Sequence, residues 1–139
     1  MAQEKTSPSR EGHATRKVIL LVADTENSVS LAQIIAQETP YHVYHASNSF
    51  AARSFMRYIQ PHLVILDCRD SAVKNFQLYH HLHANRERKF LPAIVIGPSL
   101  EDYQDDIKNG KLVVFPDPFD LDDLISTIED LLVWPFHSK

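Results

Sequence analysis

Five short apolar runs punctuate the 139-residue chain, and segments of helical period lie between them. Val18-Ile19-Leu20-Leu21-Val22, Leu63-Val64-Ile65-Leu66, Ala93-Ile94-Val95-Ile96 and Leu112-Val113-Val114-Phe115 are almost uninterrupted. Runs this short and this rich in β-branched residues predict strands buried on both faces of a parallel sheet. Tyr41-His42-Val43-Tyr44-His45-Ala46 is more polar, which places that strand nearer an edge. The first helix is predicted over Thr25 to Gln37, with Val29, Ala32, Ile35 and Ala36 on one stripe. Ser47 or Ser49 is expected to cap a second through Ile59, with Ala51, Ala52, Phe55 and Ile59 inward. Pro61 stops it. A third spans Val73 to Ala84. A fourth opens at Pro98-Ser99-Leu100-Glu101-Asp102 and ends at Gly110. Leu121, Leu124, Ile125, Ile128, Leu131 and Leu132 form the cleanest amphipathic helix, with Pro135 just beyond. Five strands alternating with five helices predict right-handed crossovers and a doubly wound α/β sheet.

One strand carries more than a fold signal. Pro61-His62-Leu63-Val64-Ile65-Leu66-Asp67 is an apolar strand that ends on a carboxylate. In parallel sheets of this kind, ligands and chemistry gather at the carboxyl ends of the strands. Asp67 therefore stands where a carboxylate can act, and the question becomes which partners it has.

Composition narrows the classes. At 44% apolar residues the chain is expected to be globular, with residues 1–16 a disordered lead, 17–134 one domain and 135–139 a C-terminal tail. No apolar run approaches the roughly 20 residues of a membrane span. The polar opening residues do not resemble a secretory signal. A single cysteine, Cys68, excludes an internal disulfide and fits a reducing, cytoplasmic setting. Residues 101–130 hold ten carboxylates against Lys108 and Lys111, which disfavours nucleic acid as a direct ligand there. Only Gly12, Gly97 and Gly110 occur, so no glycine-rich phosphate loop exists. Nor is there a nucleophile elbow, which leaves a hydrolytic or metal enzyme weakly supported.

Four stretches in order resemble one family. Val18 to Asp24, Pro61 to Asp67, Pro92-Ala93-Ile94-Val95-Ile96-Gly97 and Pro116-Asp117-Pro118-Phe119-Asp120 are similar to the receiver domain of bacterial two-component response regulators. The likeness covers about residues 17–133. It implies a flavodoxin-like, three-layer sandwich with five parallel strands in order 2-1-3-4-5. It also implies a phosphoacceptor carboxylate, an acidic pocket holding Mg²⁺, a lysine on the phosphoryl oxygens, and a hydroxyl and an aromatic ring that report the product.

Matched position by position, the acceptor is Asp67 and one pocket acid is Asp24. The pocket acid's usual acidic neighbour is Ala23, although Glu26 stands close in sequence. The family's metal-ligating backbone carbonyl belongs to Arg69. The hydroxyl position is Gly97, the switch aromatic is Val114, and the lysine is Asp117. The metal ligands implied are thus Asp24, Asp67 and the Arg69 carbonyl, with Glu26 a further candidate. The change at 117 inverts a charge. Two like charges about 4 Å apart cost on the order of 4 kcal/mol at an effective dielectric near 20. Asp24, Asp67 and Asp117 are expected to converge, as a cluster able to bind a divalent cation or hold a proton.

The resulting expectation is a stand-alone receiver-like signalling module, since only Trp134 to Lys139 follow Val133. It is expected to work by protein–protein contact, not to be an enzyme, and to have a degenerate phosphorylation site. The alternative is a working receiver that accepts a phosphoryl group on Asp67 from a histidine kinase with Mg²⁺. That alternative gains if Lys111 or Arg69 brings a cation to the pocket. Asp67 as a plain turn acid is the bland reading. Partners implied are a histidine kinase or other signalling protein, and a second copy pairing through the fourth helix, fifth strand and fifth helix. His80 and His83 share a helical face but have no evident third metal ligand, so solvated helix-end histidines are the simpler reading. Cys68 is expected to be a buried thiol pointing away from Asp67's face of the sheet.

Overall fold

The apolar runs pair as a single parallel sheet in a computed structural model, which describes residues 16–23, 26–69, 78, 91–97, 112–116 and 118–133. The strands are β1 Val18–Val22, β2 His42–Ala46, β3 Leu63–Asp67, β4 Ala93–Ile96 and β5 Leu112–Phe115, ordered β2-β1-β3-β4-β5. The described helices are α1 Glu26–Glu38, α2 Ser49–Phe55 and α3 Leu121–Val133. The expected third and fourth helices, over 73–84 and from Pro98 to Gly110, lie outside the described residues. Leu78 is the exception, helical and buried.

Alternation along the strands builds two cores. Leu20, Val22, Val64, Leu66, Val95 and Leu112 point to the face covered by α2, where Ala52 and Met56 meet them. Ile19, Leu21, Leu63, Ile65, Ile94 and Ile96 point to the other face, against Leu31 and Ile35 of α1 and Leu124, Ile128 and Leu132 of α3. All four residues from Leu63 to Leu66 are fully buried. Each such side chain contributes about 1.5–3 kcal/mol on leaving water. The central position of β3 follows from having no polar face to show.

The helices differ from expectation in detail. In α1 the inward stripe is Leu31, Ala32 and Ile35, whereas Val29 is 42% exposed and Ala36 is exposed. The predicted stripe was rotated because it followed Val29 and Ala36 and passed over Leu31. Thr39 closes the helix, its hydroxyl donating to the Ile35 carbonyl at 2.8 Å. The cap of α2 is neither Ser47 nor Ser49 but Asn48. Its extended backbone lets Oδ1 accept from the Ala51 N–H at 2.7 Å. That helix ends at Phe55, and three-residue bonds from Arg57 to Ser54 and from Tyr58 to Phe55 tighten the exit toward Pro61. Met56, absent from the predicted stripe, is buried, and Ile59 is half-buried. The start of α3 is held by Asp120, whose carboxylate accepts from Asp122 N–H at 2.8 Å.

His62 ties the start of β3 to β1. Its backbone N–H donates to the Val18 carbonyl at 2.8 Å, and its Nδ1 accepts from the Val18 N–H at 3.0 Å. Burial, then the charge of Lys17, push this imidazole below its ordinary value. The folded state therefore disfavours the charged ring.

Two outcomes follow. Ile65→Ala should lower the unfolding free energy by about 2–5 kcal/mol, read from urea midpoints, because the cavity opens between β1, β4 and two helices. Stability should fall as pH drops through the ordinary imidazole range, about 6.5, toward the lowered folded value, because the unfolded chain takes up the proton first. In His62→Gln that part of the pH dependence should vanish when melting is compared at pH near 7.5 and near 5.5.

Candidate functional site

The site is at the carboxyl end of β3, where the strand's last residue cannot escape the core. Asp67 shares the strand face of Leu63 and Ile65, and its neighbour in β4 is Ile96. At 3% exposure it is the one buried charged residue among those described. A carboxylate removed from water needs a cation or several donors to offset the lost solvation.

The cation comes from two residues along. Arg69 Nε donates to Asp67 Oδ1 at 2.8 Å and Nη2 donates to Oδ2 at 2.5 Å. The backbone N–H of Arg69 also donates to Oδ1, at 3.2 Å. Both carboxylate oxygens are thus met by one planar fork, the geometry in which guanidinium binds carboxylate best. The spacing makes it possible. Residues i and i+2 leave a strand on the same face, and the turn after Cys68 bends the arginine back over the acid.

Two neighbours shape this fork. Phe119, just before α3, lies under the guanidinium, with the Arg69 Cζ 5.6 Å from the ring centroid. Phe119 in turn packs edge-on against Phe115 of β5, centroids 6.4 Å apart. Opposite stands Gly97, at a φ of 101°, with its N–H bound to the Phe115 carbonyl at 2.8 Å. A Cβ at this glycine would lie 2.8 Å from Arg69 Cγ and 3.2 Å from its Cα. A groove of about 230 Å³ opens beside the pair, lined by Ser30, Leu31, Ile34, Arg69, Phe119 and Leu121.

The expected site residues fare unequally. Asp67, Arg69 and Gly97 come together. Arg69 was expected to contribute its backbone carbonyl and was named, with Lys111, as a cation able to reach the pocket; its side chain does so, and pairs with Asp67 itself. The signal was legible: an arginine on the same face as the strand-end acid, a glycine opposite, and no lysine at 117. Ala23 is buried, its N–H bound to the Ala46 carbonyl at 3.0 Å and its carbonyl 2.9 Å from His45 Nε2. Val114 is a half-buried residue of β5. Asp24, Asp117 and Lys111 lie outside the described residues, as does the side chain of Glu26, so the expected convergence of three carboxylates falls there too. The same is true of His80, His81 and His83. Cys68 is buried in the core of the opposite face, as alternation requires.

Of the groups that the resemblance implies as Mg²⁺ ligands, Asp67 and Arg69 are described, and these two are engaged with each other. A divalent cation of this kind is held by carboxylate and carbonyl oxygens, whereas both Asp67 oxygens here face a guanidinium. Among the described residues no three acids, histidines or cysteines gather as a metal site.

With this geometry in hand, comparison with known proteins is informative about fold. No family model matches the chain, and no curated protein matches it in sequence. Solved structures do. The chemotaxis response regulator CheY4 of Vibrio cholerae superposes with a TM-score of 0.71 at 19% identity, over 84% of this chain and 99% of that one. A response regulator receiver protein from Pseudomonas putida gives 0.71 at 23% identity, over 83% and 97%. The signal receiver domain of a signal transduction histidine kinase from Syntrophus aciditrophicus gives 0.70 at 23%, over 84% and 89%. The fold is the receiver fold. Among the described residues no helix is long and apolar enough to cross a membrane.

The ion pair has an asymmetric energetic signature. Arg69→Ala strands a buried carboxylate, and should lower the unfolding free energy at neutral pH by about 2–3 kcal/mol. Asp67→Asn leaves an arginine whose side chain is 22% exposed and can turn to water, so it should cost less than half as much. Chemical denaturation of both variants measures the difference.

Proposed function

We propose that this protein is a receiver-like signalling module that acts by protein–protein contact and whose strand-end carboxylate is held shut by an internal arginine. The observation that carries the reading is the two-pronged pairing of Arg69 with Asp67. A carboxylate attacks a phosphoryl group through an oxygen lone pair. Here both oxygens already accept from one cation, and the attacking group is offset before any phosphodonor arrives. Three replacements in the sequence point the same way. Gly97 offers no hydroxyl to a phosphoryl product, Val114 no aromatic ring to a switch, and Asp117 no cation. The protein is then a binding module and not an enzyme. Its partner is a signalling protein such as a histidine kinase, and β5 with the helix that follows it is the face through which a second copy would pair.

One observation favours a second reading, in which Asp67 accepts a phosphoryl group from a histidine kinase. Arg69 does bring positive charge to the pocket, where Asp117 has removed it. An arginine that swung from the carboxylate to phosphoryl oxygens would do a lysine's work, and bidentate recognition of phosphate suits guanidinium. The first reading is preferred because the arginine is seated on the nucleophile itself.

Incubation with Mg²⁺ and acetyl phosphate, followed by intact mass, separates the two. The expected result is no stoichiometric adduct on the native protein. A singly phosphorylated species mapped to Asp67 would establish the second reading.

A further inference from the structure

We propose that Gly97 is a positioning residue, whose missing side chain admits Arg69 to Asp67, and that the guanidinium so admitted replaces a divalent cation as the carboxylate's counterion. The inference deepens the functional reading of the same site, but it stands on steric geometry at Gly97 and not on any partner.

Three observations carry it. The first is space. A Cβ at 97 would come within 2.8 Å of Arg69 Cγ and 3.2 Å of its Cα and backbone N. Real Cβ atoms essentially never come within 3.0 Å of another heavy atom, so the arginine stem would have to leave its place, and the two backbone contacts at 3.2 Å are tight enough to require a shift of a few tenths of an ångström. The second is anchorage. Gly97 cannot retreat, because its N–H is bonded to the Phe115 carbonyl at 2.8 Å and Ile96 before it is a sheet residue. Arg69 is equally fixed from below, since Cys68 N–H is bonded to the Ile96 carbonyl at 2.8 Å. The third is conformation. The φ of 101° belongs to glycine, so the position is built for hydrogen and not for a trimmed side chain.

The chain of cause is short. Glycine at 97 lets the stem of Arg69 lie against the chain just beyond the end of β4. Phe119 then supports the guanidinium at 5.6 Å, and the fork closes on both oxygens of Asp67. Charge balance at the buried acid is achieved within the chain, so the native protein has no need of Mg²⁺ at this carboxylate.

The test is a double-mutant cycle on the full chain, run in chelator and without phosphodonor, with wild type, Arg69→Ala, Gly97→Ala and the pair. Backbone strain at 97 is common to both backgrounds and cancels in the cycle. Gly97→Ala should lower the melting temperature clearly more when Arg69 is present than when it is absent. Additive effects would overturn the positioning role. A second arm adds MgCl₂ to about 10 mM. The melting temperature of wild type should stay flat, while that of Arg69→Ala should rise by about 3–5 °C as a cation takes the vacated place. A rise in wild type, or none in Arg69→Ala, would overturn the counterion role. Because no phosphodonor enters the cycle, its failure is distinguishable from failure of the functional reading.

Discussion

The structure turns on what it means to end a fully buried strand with a charge. β3 lies in the middle of the sheet, with one core on each face, and Leu63 to Leu66 have no exposure at all. Asp67 inherits that burial. Left alone, a carboxylate in such surroundings would cost several kcal/mol, more than a domain of this size spares readily. Some cation has to be brought to it, and which one is brought decides what the site can do. Here a side chain of the same chain, Arg69, meets it.

The choice propagates outward. An arginine two residues from the acid needs room for its stem, which Gly97 supplies, and a surface for its planar head, which Phe119 supplies. Phe119 packs on Phe115, and Phe115 closes the core beneath α3. Replacements that look like separate losses in the sequence therefore read differently together. On the proposal above, the missing side chain at 97 is the room into which the arginine stem fits.

Much of this architecture is legible in the sequence. Strand positions and the edge placement of β2 follow from where apolar residues run unbroken and where His42, Tyr44 and His45 interrupt them, whereas the strand order came from the family resemblance. These signals are strong because burial on two faces leaves no polar position to confuse the period. Helix detail is less legible. In α1, Val29 and Leu31 are equally apolar, and only packing selects the stripe that turns inward. At α2 three consecutive residues, Ser47, Asn48 and Ser49, are all able to cap, and the backbone bend chooses among them. The site was half legible. Asp67 was identified from its place at a strand end. Arg69 was named both for its backbone carbonyl and as one of two cations able to reach the pocket, and a family pattern, which carries roles and not the reach of a particular side chain, could not choose between it and Lys111.

A cation's origin also determines how far its message travels. A lysine delivered from the end of β5 would join the third strand to the fifth across the whole half-sheet, so any change at the acid would be felt at the opposite edge. Arg69 and Asp67 are separated by one residue, and their pairing stabilises the end of β3 locally. Among the described residues, what joins this pair to the far side is softer: the aromatic support from Phe119 and the glycine contact at 97. Stacking of this kind contributes about 0.5–2 kcal/mol, against the several kcal/mol lost when a buried carboxylate is left without its cation. On the reading proposed above, an acid neutralised in this way serves to hold one surface in a fixed shape for a partner.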